Sequence, residues 1–272
     1  MLNLNLHFTF KHLNLNVKSV SAVESRKQGD VCFFIRRHFA GKNLDEPLVM
    51  FGDIAVPTGL QNADPCVTRG CLWPKATDGN VYVIHSLTQS YNNNVIPLYT
   101  SGLTTCIRLV IEQCQGKQSN LFPMLLCFSF VGRRGRGQVV SLSRQGCVFR
   151  QIIQHELLHA LGFNHEQTRS DRDQNVRILL ENVISGMESN FRKIQTMNLG
   201  TPYDYNSVMH YGRFAFSKNR QPTIVPIPNA NVAIGRATQM SPIDILRVNR
   251  LYRCSTYLLK QNFCPTSWPL PQ

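Results

Sequence analysis

The stretch that decides the fold runs from His155 to Glu166 and reads HELLHALGFNHE. On a helix, residues four positions apart lie on the same face, so His155 and His159 can point both imidazole rings at one point. Gly162 predicts the end of this helix, because glycine tolerates the positive φ of a C-terminal cap. The turned chain can then bring His165 back as a third nitrogen ligand. Three histidines with one position left open are the ligand set of a catalytic zinc site rather than a closed structural one.

Glu156 lies beside the histidine face of this helix. It is not needed as a ligand, so its carboxylate can accept a proton from a water molecule that the metal activates. The pattern H-E-x-x-H alone is as typical of two surface histidines as of a zinc site. The fixed spacing to Gly162 and His165 favours the zinc site. Downstream, residues 207–211 read SVMHY and offer Met209 as a hydrophobic floor, from which an ordinary core methionine would differ little.

Two segments together resemble the astacin family of zinc endopeptidases, a branch of the metzincins: HELLHALGFNHEQTRSDRD at residues 155–173 and TPYDYNSVMHYGR at residues 201–213. Other segments, NADPC at residues 62–66 and PTIVPIPNANVAIG at residues 222–235, are most similar to fish hatching enzymes. The resemblance covers residues 48–254. It implies an α+β fold, a two-lobed metzincin (zincin) catalytic domain. A mixed sheet and the active-site helix would form the N-terminal lobe, followed by an irregular C-terminal lobe.

The resemblance also implies the chemistry. One Zn²⁺ per chain would be held by His155, His159 and His165, with Glu156 as the base in peptide hydrolysis. Tyr211 matches the family tyrosine that is a fifth zinc ligand at rest and can swing away to hydrogen-bond the oxyanion. The implied partner is a protein substrate, specifically egg-envelope (chorion) glycoproteins, which hatching enzymes digest. The protein is expected to be a secreted monomer.

The same resemblance divides the chain into three segments. Residues 1–61 are predicted to be a propeptide-like segment, residues 62–254 the catalytic domain and residues 255–272 a C-terminal tail. Asp53, in the sequence FGDI, matches the family's propeptide aspartate, which blocks the site by ligating the zinc; an ordinary turn aspartate is the alternative. In the family the freed amino terminus pairs with the glutamate that follows the third zinc histidine, and Glu166 holds that position.

The chain has nine cysteines, many for a cytosolic enzyme, and no C-x-x-C zinc pattern accounts for them. Disulfides formed in an oxidising compartment explain them better. The resemblance implies the pairs Cys66–Cys71, Cys106–Cys254 and Cys127–Cys147. Three cysteines are left over: Cys32, Cys114 and Cys264. Residues 1–16 lack the continuous apolar core of a secretory signal, so secretion is expected from the resemblance and the cysteine content.

Charge and hydropathy bound the possible partners. Lysine and arginine outnumber aspartate and glutamate by 29 to 16. A basic surface attracts nucleic acid, anionic matrix or acidic substrates, and solubility alone explains it equally well. The run GRRGRG at residues 132–137 has no aromatic platform around it, so a basic loop is favoured over an RNA-binding tract and no nucleic-acid partner is predicted. The chain has no run of 18 apolar residues, so no membrane span is predicted.

Residues 91–105 depart from the family pattern. The family has a long amphipathic helix here, whereas this interval is shorter, has no helical period and contains Pro97 and Gly102, which oppose a helix interior. A zinc-binding but catalytically impaired astacin relative is therefore the alternative to an active enzyme. A basic nucleic-acid-binding module is a third hypothesis, and it rests only on GRRGRG.

The remaining secondary structure is predicted from residue types, caps and the resemblance. Strands are expected at residues 80–84, 105–111 and 138–143, with a substrate-aligning edge strand within residues 121–131. Helices are expected at residues 147–161 and 185–193. A final helix begins after Ser241, with proline at its first position and Asp244 at its third, and runs to about Cys254.

Overall fold

The structure, a computed structural model, describes residues 3–9, 48–50, 52–56, 70–87, 105–111, 127–135, 138–143 and 146–254. The strands within these residues are β1 (Asn3–Thr9), β2 (Leu48–Met50), β3 (Ile54–Val56), β4 (Val81–Leu87), β5 (Ile107–Ile111), β6 (Ser129–Phe130), β7 (Gln138–Ser143), β8 (Val176–Ile178) and β9 (Ile224–Pro226). The α-helices are α1 (Arg150–Ala160) and α2 (Pro242–Leu251). Short 3₁₀ helices lie at Glu166–Thr168, Arg172–Gln174, Leu180–Asn182 and Glu188–Phe191.

A four-stranded sheet with the order β5–β4–β1–β7 forms the main layer. β4 and β5 are parallel, whereas β1 runs antiparallel to both β4 and β7. Branched side chains fill its buried positions, as at Val83 and Val140, because they pack well on a pleated surface. The strands predicted at residues 80–84, 105–111 and 138–143 are confirmed.

β1 is an inner strand of this sheet, although it comes from the segment that the sequence separates from the catalytic domain. Leu6 pairs with Leu87 of β4 on one side and with Val140 of β7 on the other. Both edges of β1 are therefore used in backbone pairing. Residues 3–9 belong to the same sheet as strands far downstream, so experiments on this fold call for the full chain.

A hairpin of β2 and β3 carries Gly52 and Asp53 in its turn. β3 also pairs with β6 in parallel, with Ala55 opposite Phe130, so the hairpin and β6 form a second sheet. The backbone N–H of Ser129 donates to the carbonyl oxygen of Asp53 at 3.0 Å. This pairing fixes the position of the hairpin turn relative to β6.

β6 stands at the border of the main sheet. Phe128, just before it, pairs with Ser141 of β7 through two backbone hydrogen bonds of 3.1 and 2.8 Å. The edge strand predicted within residues 121–131 is therefore present at its C-terminal end. Residues 121–126 lie outside the described part of the chain.

α1 packs against β6 and β7 and carries the histidine motif. Its inner side chains Ile153 and Leu158 are 0% and 2% exposed. The indole N–H of Trp73 donates to the carbonyl oxygen of Ala160 at 2.8 Å and holds the C-terminal end of the helix. The helix predicted from residue 147 begins at Arg150, because the chain is still turning out of β7 at Cys147, whose N–H donates to the Ser143 carbonyl.

After α1 the chain is irregular up to α2, with 3₁₀ helices and the two-stranded sheet of β8 and β9. A second hydrophobic cluster, which includes Phe191 and Ile224, lies in this part. The helix predicted at residues 185–193 is wrong, since only the 3₁₀ helix Glu188–Phe191 forms there. Gly186 has a φ of +88°, which an α-helix does not allow, and the hydrogen bonds that follow connect residues three apart.

α2 begins with the caps that the sequence predicts. The Ser241 side chain accepts the Asp244 N–H, and the Asp244 side chain accepts the Ser241 N–H, which is a capping box. The helix ends at Leu251, three residues before Cys254, whose disulfide to Cys106 joins its end to the start of β5. A second disulfide joins Cys127 to Cys147, between β6 and α1.

Several expectations fall outside the described residues. They concern residues 91–104, where the sequence departs from the family pattern, the predicted tail at residues 255–272, and four cysteines: Cys32, Cys66, Cys114 and Cys264. Among the helices of the described ranges, none is long and apolar enough to cross a membrane.

Candidate metal centre and active site

α1 and the turn after it position the three histidines. His155 and His159 lie one turn apart on α1, and Gly162 ends the helical path with a φ of +104°. The chain then reverses and returns His165, which is 1% exposed, to the same place. The ring centroids of the three imidazoles are 4.7 to 5.2 Å apart.

The hydrogen bonds of two histidines fix their protons. His155 Nδ1 lies 2.8 Å from the Val208 carbonyl oxygen, and His159 Nδ1 lies 2.8 Å from the Phe163 carbonyl oxygen. Because a carbonyl oxygen only accepts, Nδ1 carries the proton on both rings and Nε2 of the neutral ring presents a lone pair. The two Nε2 atoms are 3.1 Å apart. Two lone pairs at this short distance repel each other unless a positive charge lies between them.

Asp53 brings a carboxylate to the same point. Its oxygens lie 3.0 Å from His155 Nε2, 3.4 Å from His159 Nε2 and 2.8 Å from His165 Nε2. Burial by itself raises the pKa of Asp53, but His165 and His155 outweigh burial and hold it well below its usual range. Burial also lowers the pKa of His155, yet Asp53 outweighs this and raises it to about 9, whereas burial lowers the pKa of His165 to about 4.

These four side chains fit a zinc ion. Each offers one ligand atom, and the four atoms lie within 4.8 Å of one another. Two zinc–nitrogen bonds of about 2.0–2.1 Å at a tetrahedral angle place their nitrogens about 3.3–3.4 Å apart, close to the 3.1 Å between the Nε2 atoms of His155 and His159. His165 Nε2 and Asp53 Oδ1 are buried and face each other at 2.8 Å, but neither forms a hydrogen bond of regular geometry with a described residue, as expected of atoms that coordinate a metal.

Glu156 lies next to His155 on α1 and is 1% exposed. Burial raises its pKa well above the usual range, and the Asp53 charge raises it further. Its Oε2 atom is buried and has no hydrogen-bond partner in the described part of the chain. A carboxylate in this position can take up a proton from a group that enters the site.

The Met209 turn, residues 207–211, is hydrogen-bonded to His155 and to Glu166. Met209 is 3% exposed, belongs to the main hydrophobic cluster, and its carbonyl oxygen accepts the Glu166 N–H at 3.0 Å. Tyr211 follows, with its ring centroid 4.4 Å from that of His165. Burial raises the pKa of Tyr211, and Asp53 raises it further, so its hydroxyl is protonated and can donate a hydrogen bond.

Glu166 has buried cationic partners that the sequence does not indicate. Arg247 of α2 donates to both of its oxygens at 2.6 and 2.9 Å, and Arg169 donates to one of them at 3.1 Å. The Asp204 N–H donates to the same carboxylate at 2.8 Å. Two guanidinium groups thus supply the positive charge that the resemblance assigns to a freed amino terminus. Pairing with an amino terminus stays a prediction, since residues 57–69 lie outside the described residues.

The basic run at residues 132–135 packs against the metal helix. The Gly132 N–H donates to the His159 carbonyl oxygen at 2.8 Å, and the Arg134 guanidinium lies 4.5 Å from the centroid of the Phe130 ring. The run therefore helps to connect β6 to α1, as expected for a structural loop. Residues 136–137 lie outside the described ranges.

Gly52 is a further residue that the sequence analysis missed. A Cβ atom at this position would lie 2.5 Å from the Tyr211 hydroxyl oxygen and 3.0 Å from Phe216 Cζ, and its φ is +88°. The hairpin can seat Asp53 on the histidines only if residue 52 has no side chain. The sequence FGD carried a signal for this, since glycine before the aspartate allows a close approach.

We expect Gly52→Ala to loosen the hairpin. The new methyl group collides with Tyr211 and the backbone is strained, which costs about 1–3 kcal/mol and should speed amide hydrogen exchange in residues 52–56 about tenfold or more. Gly79→Ala is the matched control, because its φ is +81° but a Cβ there meets nothing within 4 Å. Equal protection of residues 52–56 in both variants would contradict the predicted close approach.

Known proteins are similar to most of this chain. Residues 70–253 match the sequence profile of the peptidase family described as Astacin. The low choriolytic enzyme of Oryzias latipes is 43% identical over 246 residues, 88% of this chain and 89% of that protein. High choriolytic enzyme 1 of Oryzias latipes is 43% identical over 224 residues, 80% of this chain and 83% of that protein.

A solved structure is also similar. High choriolytic enzyme 1, a hatching enzyme zinc-protease from Oryzias latipes (Medaka fish), matches with a TM-score of 0.60 and 45% identity, over 71% of this chain and 100% of that chain. These matches, together with the fold, define a zinc metalloendopeptidase. The chain belongs to the astacin family, and the expected α+β class is confirmed.

Proposed function

We propose that this chain is a zinc-dependent endopeptidase that holds one Zn²⁺ through His155, His159 and His165. The observation that carries the proposal is the convergence of three buried or half-buried imidazoles and the Asp53 carboxylate, whose ligand atoms lie within 4.8 Å of one another. When bound, zinc supplies a Lewis acid that acidifies water and polarises a peptide carbonyl. The division into two lobes with a cleft between them belongs to the same proposal, and the two separate hydrophobic clusters support it.

Glu156 and Tyr211 act on the substrate in this proposal. Glu156 accepts the proton of the attacking water and returns it to the leaving amine. The Tyr211 hydroxyl donates a hydrogen bond to the oxyanion that develops on the carbonyl. Met209 supports the histidines from below as part of the buried core. The substrate backbone pairs with β6 as an added strand, along the edge of β6 that β3 now occupies.

The hairpin of β2 and β3 acts as an inhibitory latch. Asp53 takes the position of a fourth ligand, and β3 covers the strand edge that a substrate needs. Loss of the Asp53 contact frees the fourth ligand position and weakens the hold of β3 on β6, so it should open the site to a peptide. Release by cleavage near residue 62 would fit the propeptide-like role of residues 1–61.

The direct test is hydrolysis of an unfolded protein by the full chain that carries Asp53→Ala. We expect this variant to cleave at least about tenfold faster than the parent chain, which corresponds to a latch worth about 1.4 kcal/mol. A chelator should stop the reaction, and added zinc should restore it. Asp78→Ala is the control, because this exposed aspartate lies outside the site. A folded, zinc-loaded Asp53→Ala chain that cleaves nothing would refute the endopeptidase.

We also propose that the substrates are egg-envelope (chorion) proteins and that the protein is a secreted monomer. The 43% sequence identity to each of two choriolytic enzymes supports this substrate class. The disulfides Cys106–Cys254 and Cys127–Cys147 support folding in an oxidising compartment. The comparison of cleavage rates on isolated chorion and on an unrelated matrix would test the substrate.

The two other hypotheses have less support. A catalytically impaired relative rests on residues 91–105, nearly all of which lie outside the described ranges. A nucleic-acid-binding module rests on GRRGRG, whose described residues pack against α1 and Phe130. Neither has an observation in its favour that equals the histidine cluster.

A further inference from the structure

Asp244 of the last helix, α2, reaches the Met209 turn. It is 3% exposed. Its Oδ1 accepts the Ser207 hydroxyl at 2.6 Å and its Oδ2 accepts the Val208 N–H at 3.0 Å. These residues lie 36 and 37 positions away in sequence, so this contact depends on the tertiary structure.

The peptide group between Val208 and Met209 carries this contact to the metal centre. Its N–H, on Met209, donates to the Ser207 hydroxyl oxygen at 3.0 Å, the same hydroxyl that Asp244 holds. Its carbonyl oxygen, on Val208, accepts the Nδ1 proton of His155 at 2.8 Å. The orientation of this one peptide group therefore links a buried carboxylate to a histidine.

We propose that Asp244 is a positioning residue for the metal centre. By holding Ser207 and Val208, it aims the Val208 carbonyl at His155, keeps the proton on Nδ1 and directs Nε2 to the ion. The inference rests on the proposed function, because it concerns the same three-histidine site. Groups that hold metal-binding histidines from behind orient the ring and raise metal affinity, and their loss typically weakens binding about 10–100-fold.

The positioning role can be separated from the capping role of the same side chain. Ser241 shares the capping box with Asp244, since its hydroxyl accepts the Asp244 N–H at 2.9 Å. Ser241→Ala removes that cap bond and the hydrogen bond that the Ser241 hydroxyl donates to Asp204, but it leaves the contacts of Asp244 with Ser207 and Val208. If the role of Asp244 were purely structural, Asp244→Ala and Ser241→Ala would have the same metal affinity when they lose the same stability.

The test measures Zn²⁺ dissociation constants of the full chain by competition with a chelator, and the visible spectrum of the Co²⁺-substituted protein. We expect Asp244→Ala to weaken zinc binding about tenfold or more and to shift the cobalt bands, because His155 is no longer held. Asp244→Asn, which keeps the shape and one acceptor oxygen, should restore most of the affinity. Ser241→Ala should keep the parent affinity and spectrum.

If Asp244→Ala does not fold, Ser207→Ala takes its place in the test. This variant removes the hydroxyl between the carboxylate and the Met209 N–H but leaves the α2 cap intact. It should also weaken zinc binding and shift the cobalt bands. Parent-like affinity and spectrum in the folded Ser207 and Asp244 variants would overturn the positioning role, as would an equal loss in Ser241→Ala. A parent chain that binds no zinc would instead overturn the proposed function, and this inference with it.

Discussion

Replacing Glu156 by glutamine is expected to lower peptide hydrolysis about 10²–10⁴-fold, the usual contribution of a positioned acid–base group. Glutamine has the same shape, so the buried site on α1 should keep its packing, but an amide cannot take up the proton of the attacking water. Zinc content should stay at one ion per chain, because the three histidines and not Glu156 provide the ligands in our proposal.

The measurement compares initial rates on an unfolded protein, with both chains carrying Asp53→Ala to release the hairpin. Zinc content by atomic absorption and far-ultraviolet circular dichroism are recorded for each. Glu188→Gln, at an exposed glutamate, is the matched control and should keep the parent rate. A Glu156→Gln chain that cleaves at the parent rate would exclude Glu156 as the base. Loss of zinc together with activity would indicate a ligand or a structural role instead.

Replacing Arg247 by leucine is expected to destabilise the fold by about 3–5 kcal/mol, the cost of leaving one member of a buried ion pair without its partner. Arg247 is 6% exposed and forms two hydrogen bonds to Glu166. It also donates to the Thr201 hydroxyl at 2.9 Å and to the Pro202 carbonyl at 2.9 Å. Arg169 remains beside Glu166 in the variant, but it forms a single contact with the carboxylate at 3.1 Å.

Urea unfolding of the full chain measures this loss. Arg250→Leu is the matched control on the same helix, because Arg250 is exposed and, among the described residues, bonds only to the carbonyl oxygens of Leu199 and Gly200. It should cost no more than about 1 kcal/mol. Adding Glu166→Gln to Arg247→Leu should recover part of the stability, since no unpaired charge is then buried. Equal losses in the two arginine variants would contradict the predicted role of the Glu166 pair.

The sequence was sufficient for features that depend on neighbours within a few residues. The period of α1 puts His155 and His159 on one face, Gly162 allows the reversal that returns His165, and Ser241 with Asp244 caps α2. Each of these depends on helix geometry or on a local hydrogen bond, so residue type and spacing predict it. The prediction of a helix at residues 185–193 was wrong, because Gly186 takes a positive φ there and only a short 3₁₀ helix follows it.

The proximity of Asp53 to the histidines was expected from a resemblance and not from any local rule. The structure brings it there through the β2–β3 hairpin, 102 residues before His155 in sequence. The disulfide Cys106–Cys254 spans 148 residues in the same way. A motif can suggest such contacts when a relative is known, but spacing alone cannot.

Residue types and spacing were enough to predict the metal-binding helix, the reversal after it and three strands of the main sheet, because helix periodicity, a glycine cap and strand-forming residues act locally. Three features followed only from the folded structure: β1 is an inner strand, Arg247 and Arg169 hold Glu166, and Asp244 reaches the Met209 turn. The physical reason is that a buried charge needs a partner but does not specify which one. Arg247 lies 81 residues from Glu166, and only the packing of α2 beside the site brings the two together.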